Sequence, residues 1–314
     1  MSDFVPFRRL TLIGIGLIAS SIARAARVDG LAEEIVCASP DADHRARALR
    51  SGLVDQAFAS NAEAVAGSDL VILCTPVGVM GTAAAEVGPA LEAGAILSDV
   101  GSVKDGVVRA VAPHVPSHAH FVPAHPIAGT ENSGPDSGFA SLFRGRWLIV
   151  TPPPGCDAEA TDRLIGFWQA MGALVETMDT KHHDQVLAIT SHIPHLIAYN
   201  IVGTADDLEA VTKSEVIKFS AAGFRDFTRI AASDPTMWRD VFLNNREAVL
   251  EMLGRFTEDL AALQRAIRWS DGDALFDLFT RTRDIRRAII DAGQETDVPD
   301  FGRHAVEEPG APKA

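Results

Sequence analysis

The chain has 314 residues, enough for two domains of the usual ~100–200 residues each. Hydrophobic residues make up 47% and charged ones 22%, the balance of a globular protein rather than a disordered or fibrous one. A formal net charge of −14 argues against nucleic acid or an anionic membrane as partner, and any anionic ligand would need a local reversal of sign.

Cys37, Cys74 and Cys156 form no CxxC and no paired framework, the usage of a reducing compartment. The basic pair Arg8-Arg9 precedes an apolar run. Gly14 and Gly16 break that run and no small-residue cleavage signal follows, so it does not read as a signal peptide. No segment approaches the ~18 uninterrupted apolar residues of a membrane span, and a cytoplasmic location is expected.

Leu10 to Ile15 is apolar without alternation, as suits a parallel strand covered on both faces. It runs into Gly14-Ile15-Gly16-Leu17-Ile18-Ala19 and a helical stretch, Ser20 to Arg27. A G-x-G-x-x-A pattern at a strand-to-helix junction is a dinucleotide fingerprint. Gly14 permits the tight turn, and Gly16 lets a pyrophosphate reach the backbone. Ala19 packs helix on strand, and the phosphates meet the helix end at Leu17 and Ile18. The next strand, Glu34 to Ala38, should end in a ribose-binding acid if the cofactor is NAD. Ser39 stands there instead, with Asp41, Asp43 and Arg45 nearby, so NAD and NADP both stay open.

Asp69 to Pro76 and Ala95 to Asp99 read as further buried strands, and ligands bind where such strands end. Thr75, Pro76, Ser102, Lys104 and His125 all fall just past strand ends. Ser98-Asp99 can alternatively be a simple helix cap. Between His120 and Gly134 the sequence is HFVPAHPIAGTENSG. Its prolines and glycines favour a fixed, turning backbone. That backbone carries one imidazole, His125, close to Thr130, Glu131 and Asn132. Imidazole is the side chain that takes and returns a proton near neutrality. Trp147 to Val150 and Leu174 to Met178 read as the last strands of this first domain, residues 1–179.

From Thr180 helical periods take over, giving a second domain over residues 180–296 and a mobile tail over 297–314. The first helix, about Lys181 to Thr204, should kink at Pro194 and carry His192 and His195 on one face. Asp234-Pro235 is a cap and first-turn pair for one long helix to about Trp269. Asp271-Gly272-Asp273 should break the chain before a last helix ending near Gly293. Between Lys213 and Arg246 lie six basic and four acidic residues, a net positive stretch in a negative protein. Guanidinium forks grip carboxylates, so an anionic substrate would dock here. Alternatively Arg225 and Arg239 pair with Asp226 and Asp240 and only tie helices together. His182-His183-Asp184 raises a metal question, but adjacent helix residues diverge and no HExxH is present, so no metal site is expected.

The ordered set is the Gly14-x-Gly16 turn, Ser98-Asp99-Val100-Gly101-Ser102-Val103-Lys104, His125-Pro126-Ile127-Ala128-Gly129-Thr130-Glu131, Ser191-His192-x-Pro194-His195 and Gly223-Phe224-Arg225-Asp226-Phe227-Thr228-Arg229. Together these resemble the prephenate/arogenate (cyclohexadienyl) dehydrogenases of tyrosine biosynthesis over about residues 8–290. The resemblance implies an α/β fold: an N-terminal Rossmann-like doubly wound sheet followed by an all-α C-terminal domain that forms a homodimer. It implies NAD(P)-dependent oxidative decarboxylation of prephenate, arogenate or both. His125 would accept the hydroxyl proton, and Ser102 would share a hydrogen bond with that hydroxyl. Arg229 would hold a carboxylate and His195 would bind substrate, with His192, Thr130 and Glu131 as polar neighbours. Asp226 would orient the arginines and Trp238 would line the pocket. Two alternatives share the plan: a β-hydroxyacid dehydrogenase or imine reductase, and a non-catalytic dinucleotide sensor.

Overall fold

The structure, a computed structural model, describes residues 4–130, 132–212 and 222–291. Glu131, Lys213, Glu215, Lys218, Gly293 and the expected tail over 297–314 lie outside the described residues. The first sheet is built from β1 (Phe7–Ile13), β2 (Ala32–Ala38), β3 (Gln56–Phe58), β4 (Leu70–Leu73), β5 (Ile96–Asp99) and β6 (His120–Val122). Their order is β3-β2-β1-β4-β5-β6 and every pairing is parallel. The chain winds outward from β1 to β3, then crosses back to β4. The carboxyl ends of β1 and β4 therefore form the switch point where a ligand can enter.

Helices α1 (Leu17–Asp29), α2 (Ala42–Arg50), α3 (Asn61–Val65), α4 (Met80–Val87), α5 (Asp105–Val111) and α6 (Ala158–Ala170) connect and cover these strands. Covering both faces is why β4 reads as unbroken Leu-Val-Ile-Leu. Leu70 and Ile72 join one core cluster with Leu10, Leu12 and Trp168, while Val71 and Leu73 join the other with Ile13 and Met80.

The last strands depart from expectation. β8 (Trp147–Val150) and β9 (Leu174–Thr177) do not extend the parallel sheet; they form a second sheet with β7 (Ala124–Pro126). Between β6 and β7 stands Pro123, which cannot donate to a ladder. There the chain changes sheets, and His125 pairs with Ile149 in antiparallel register.

Strand gives way to helix at Thr180, as expected. The first helical stretch is α7 (Thr180–Leu187), a π turn over Ala188–His192, and α8 (Ile193–Thr212). Pro194 withholds one backbone donor, and the wider π turn just before it absorbs the mismatch. By length and composition Thr180–Leu208 would pass for a membrane span, since an 18-residue stretch of it reaches a mean hydropathy of 1.3. It carries a buried Asp184 and two fully buried histidines, His183 and His192, which no lipid-facing helix would place there without a polar purpose. The remaining helices are α9 (Ala222–Thr228), α10 (Pro235–Asn244), α11 (Arg246–Arg268) and α12 (Gly272–Asp291).

Asp234 caps α10 by accepting from the Met237 amide at 2.8 Å, as its position before proline implies. The single helix expected to run on to Trp269 is interrupted at Asn245, whose backbone (φ −108°, ψ 32°) leaves the helical region. The compact units divide after Val249, well beyond the change of texture at Thr180. The physical reason is packing. Trp238 and Val241 of α10 share a core cluster with Val77 and Met80. Asp240 crowds Gly78 so closely that a Cβ there would collide with its carboxylate.

Candidate active site

At the end of β1, Gly14 has φ +93°, and a Cβ added there would lie 3.0 Å from the Cys74 carbonyl oxygen. Only glycine lets the ends of β1 and β4 approach this way. Gly16 opens α1 without any side-chain cap, and a Cβ there would meet open space. The first backbone bond of α1 runs from the Ser20 amide to Gly16, so the amides of Leu17, Ile18 and Ala19 precede the helical ladder. Beside them the Thr75 hydroxyl is buried with no hydrogen-bond partner. A strained glycine turn, an uncapped helix start and an orphaned hydroxyl at one switch point fit a dinucleotide pyrophosphate. Pro76 lies exposed on the rim.

At the ribose position Ser39 is buried, its Oγ accepting from the Asp41 amide at 3.3 Å. The Asp41 carboxylate is spent on capping α2, accepting from the Asp43 and His44 amides at 2.8 and 3.1 Å. Those bonds, the His44 amide first, hold its carboxyl below the ordinary value. Arg45 folds back, donating to the Ser39 and Pro40 carbonyls at 2.7 and 3.0 Å.

His125 is almost fully buried on β7. Its Nδ1 lies 2.9 Å from Nε2 of His183, and Nδ1 of His183 lies 2.8 Å from Oδ1 of Asp184. Asp184 also accepts from the amides of Lys104 and Asp105 at 2.8 and 3.0 Å, so it caps α5 from a distant element. The capping role considered for Asp99 therefore falls to Asp184. Asp99 instead accepts from the Gly101 and Ala124 amides at 2.8 and 3.3 Å and forms a buried ion pair with Lys104. The Lys104 ammonium donates in addition to the Ala124 carbonyl at 2.7 Å. It thus serves the backbone beside His125 rather than the open cleft. Ser102, half-buried on the loop between β5 and α5, has its backbone against His192.

The helical residues converge on the same region. His192 is fully buried, and its Nδ1 receives the Asn245 side-chain amide at 3.1 Å; that amide also reaches the Asp184 carbonyl at 2.8 Å. The indole of Trp238 stacks on His195 with centroids 3.6 Å apart and meets His192 edge-on at 6.1 Å. Arg229, half-buried, opens the turn Arg229–Ala232, which Tyr199 ties to α8 by donating to the Ser233 carbonyl at 2.7 Å. Arg229 acts electrostatically on His195, and His192 on His125. His192, Trp238 and His195 thus form one packed group, with His125 and Arg229 close enough to act on it through their charges. Thr130 lies on the loop after β7, its hydroxyl accepting from the Asn132 amide at 3.2 Å. Asp226 and Arg225 are exposed on α9, and Arg239 pairs with Asp240 at 2.7–2.8 Å as one alternative expected, but the two are neighbours on α10, so the pair ties no helices together.

Burial, above all, pushes the His125 imidazolium well below the ordinary histidine value of 6.5, and electrostatic interaction with His183, Lys104 and His192 acts in the same direction. Burial lowers His192 to about 4 against the opposing pull of Asp184, and lowers His195 with help from Arg229. His183 is also lowered by burial, with Asp184 opposing. The site thus holds neutral imidazoles, hydrogen-bond acceptors in a buried place.

Comparison with known proteins shows the family. Residues 22–177 match the nucleotide-binding domain of prephenate dehydrogenase, and residues 179–281 match its dimerization domain. The chain belongs to the prephenate dehydrogenase family. The match to the family's nucleotide-binding domain begins after the glycine turn, which the geometry of Gly14 and Gly16 carries independently. A cyclohexadienyl dehydrogenase of Zymomonas mobilis is 41% identical over 285 residues, 90% of this chain and 96% of the relative. The prephenate dehydrogenase of Bacillus subtilis is 31% identical across 89% of this chain and 76% of its own length. The family fold is equally evident in a crystal structure of prephenate dehydrogenase from Aquifex aeolicus in complex with hydroxyphenyl propionate and NAD+. It matches with a TM-score of 0.85 at 30% identity, covering 91% of this chain and 99% of that one.

His183, Asp184 and Asn245 were not among the candidates drawn from the sequence. The first two do stand next to each other in it, but their adjacency spoke only to metal binding. Asn245 carried no signal beyond an amide in a helical stretch.

Proposed function

We propose that the chain catalyses NAD(P)-dependent oxidative decarboxylation of prephenate to 4-hydroxyphenylpyruvate, of arogenate to tyrosine, or of both. The observation that carries this reading is the neutral, buried His125 on a strand end, within electrostatic reach of a packed His192–Trp238–His195 group that also feels Arg229. The nicotinamide supplies the hydride acceptor, held through Gly14, Gly16, Leu17, Ile18 and Thr75, with Ser39 at the ribose end. His125 accepts the proton of the ring hydroxyl as the hydride leaves. Loss of the ring carboxylate as CO2 then aromatises the ring, and the same imidazole returns the proton to the phenolate. Ser102 shares the hydroxyl's hydrogen bond, and Trp238, His192 and His195 wall the ring away from water. Arg229 neutralises a substrate carboxylate, with Thr130 as a polar neighbour and Asp226 orienting the arginines.

The test is an assay of both substrates against both cofactors, following reduced cofactor by absorbance. Turnover of at least one substrate is expected; none with any pairing would end the reading. Arg229→Ala should raise KM by about thirtyfold, on the order of 2 kcal/mol of lost carboxylate binding, with a smaller change in kcat. An unchanged KM would move the carboxylate site elsewhere.

The functional unit is proposed to be a cytoplasmic homodimer. Helices α11 and α12 and the turn between them expose Leu260, Ile267, Trp269, Phe276, Phe279 and Ile285, and α12 has no buried residue. That many large apolar side chains in water are costly unless a second copy covers them. Light scattering should give twice the monomer mass, and Phe276→Glu with Phe279→Glu should give monomer; a monomeric parent would refute the dimer.

A further inference from the structure

The chain Asp184–His183–His125 has a direction, and chemistry sets it. A carboxylate accepts hydrogen bonds and never donates them. Oδ1 of Asp184, already taking the Lys104 amide, therefore requires that Nδ1 of His183 carry its hydrogen. A neutral ring with hydrogen on Nδ1 leaves Nε2 as an acceptor. That atom faces Nδ1 of His125 at 2.9 Å, so His125 must carry hydrogen on Nδ1 as well. Its Nε2 is then left with the lone pair, the form a proton acceptor needs.

We propose that His183 and Asp184 are positioning residues that fix His125 in one tautomer and one ring orientation, with Nε2 unprotonated and presented to the substrate. The inference rests on the functional reading above and deepens it. Among the described residues, Nδ1 of His125 has no hydrogen-bond partner other than His183. Every charged or titratable group around the pair favours the neutral relay or leaves it intact. Burial keeps both rings neutral, Lys104 and His192 disfavour a positive charge on His125, and Asp99 is engaged by Lys104. The anchor is rigid, since Asp184 is held by two amides of α5 and its own carbonyl by Asn245. A proton taken by Nε2 makes His125 an imidazolium whose Nδ1–H bond to His183 strengthens. The relay thus stabilises the charged form exactly when it arises, without transferring a second proton.

The test compares His183→Leu with His183→Gln. Leucine removes the acceptor for Nδ1–H, and kcat should fall about 10- to 100-fold with KM for substrate and cofactor little changed. Glutamine offers a carbonyl oxygen near the lost Nε2 position and should restore most of kcat. Isotope-edited NMR of the imidazole nitrogens reads the tautomer directly, with the His125 signals assigned by their loss in His125→Asn. The wild-type protein should show Nδ1–H at His125, and His183→Leu a mixture. Equal activity in both variants, or Nε2–H at His125 in the wild type, overturns the relay even if the enzyme turns over. Should His183→Leu fail to fold, the wild-type spectrum and His183→Gln still decide. Failure of the wild type on every substrate would instead strike the functional reading.

Discussion

His125→Asn should lower kcat by about a thousandfold, within the usual span for removing a general base, while leaving cofactor affinity near normal. Asparagine places an amide close to where Nδ1 stood, so the contact to His183 can persist and the strand pairing of His125 with Ile149 is untouched. What disappears is the lone pair on Nε2. The pH dependence offers a second reading of the same atom. Because burial and its cationic neighbours hold His125 well below 6.5, it is neutral throughout the neutral range. In the parent, kcat/KM should therefore be level around neutrality and fall only under distinctly acidic conditions, as the imidazole is protonated and the base is lost. The residual rate of the asparagine variant should lack that acidic limb. A variant with parental rates would remove His125 from the chemistry.

Much of the architecture could be read before any coordinates because its causes are local. Leu70 to Leu73 is apolar throughout since both faces of β4 are covered, and Gly14 announces a turn that no side chain could make. The Asp234-Pro235 cap and the imidazole of His125 are likewise signals contained in a few residues. The rest depends on contacts between distant segments. Asn245 interrupts a helix because its amide bridges the Asp184 carbonyl and His192, partners 61 and 53 residues away. Neither the Leu243-Asn244-Asn245-Arg246 sequence nor its propensity predicts a break there. His183 and Asp184 point apart as helix neighbours, an argument against joint ligation that held no warning of a relay. The relay works because Asp184 turns back to its own neighbour's ring while capping α5, 79 residues earlier in the chain. β7 left the parallel sheet for a similar reason: Pro123 permits the change, but only the pairing with β8 selects it.

The second large effect concerns stability. Lys104→Met should destabilise the fold by about 3–5 kcal/mol, the usual consequence of stripping one partner from a buried ion pair. Lys104 and Asp99 are both fully buried, and the lysine's removal would leave the Asp99 carboxylate with only the Gly101 and Ala124 amides. The Ala124 carbonyl would lose its donor as well. At about 2–4 °C per kcal/mol for a chain unit of this size, the midpoint of thermal unfolding should fall by roughly 6–20 °C. Adding Asp99→Asn removes the stranded charge while keeping an acceptor for one of the two amides, so the double variant should recover part of the loss. Activity should follow in a particular way. Ala124 precedes His125, and Lys104 with Asp99 grips both its amide and its carbonyl, so the pair sets where the imidazole stands rather than meeting the substrate. At temperatures where Lys104→Met remains folded, kcat should drop more than KM rises. A midpoint within a degree or two of the parent would mean that the pair contributes no net stability, and the lysine would then have to be sought among the groups that meet the substrate.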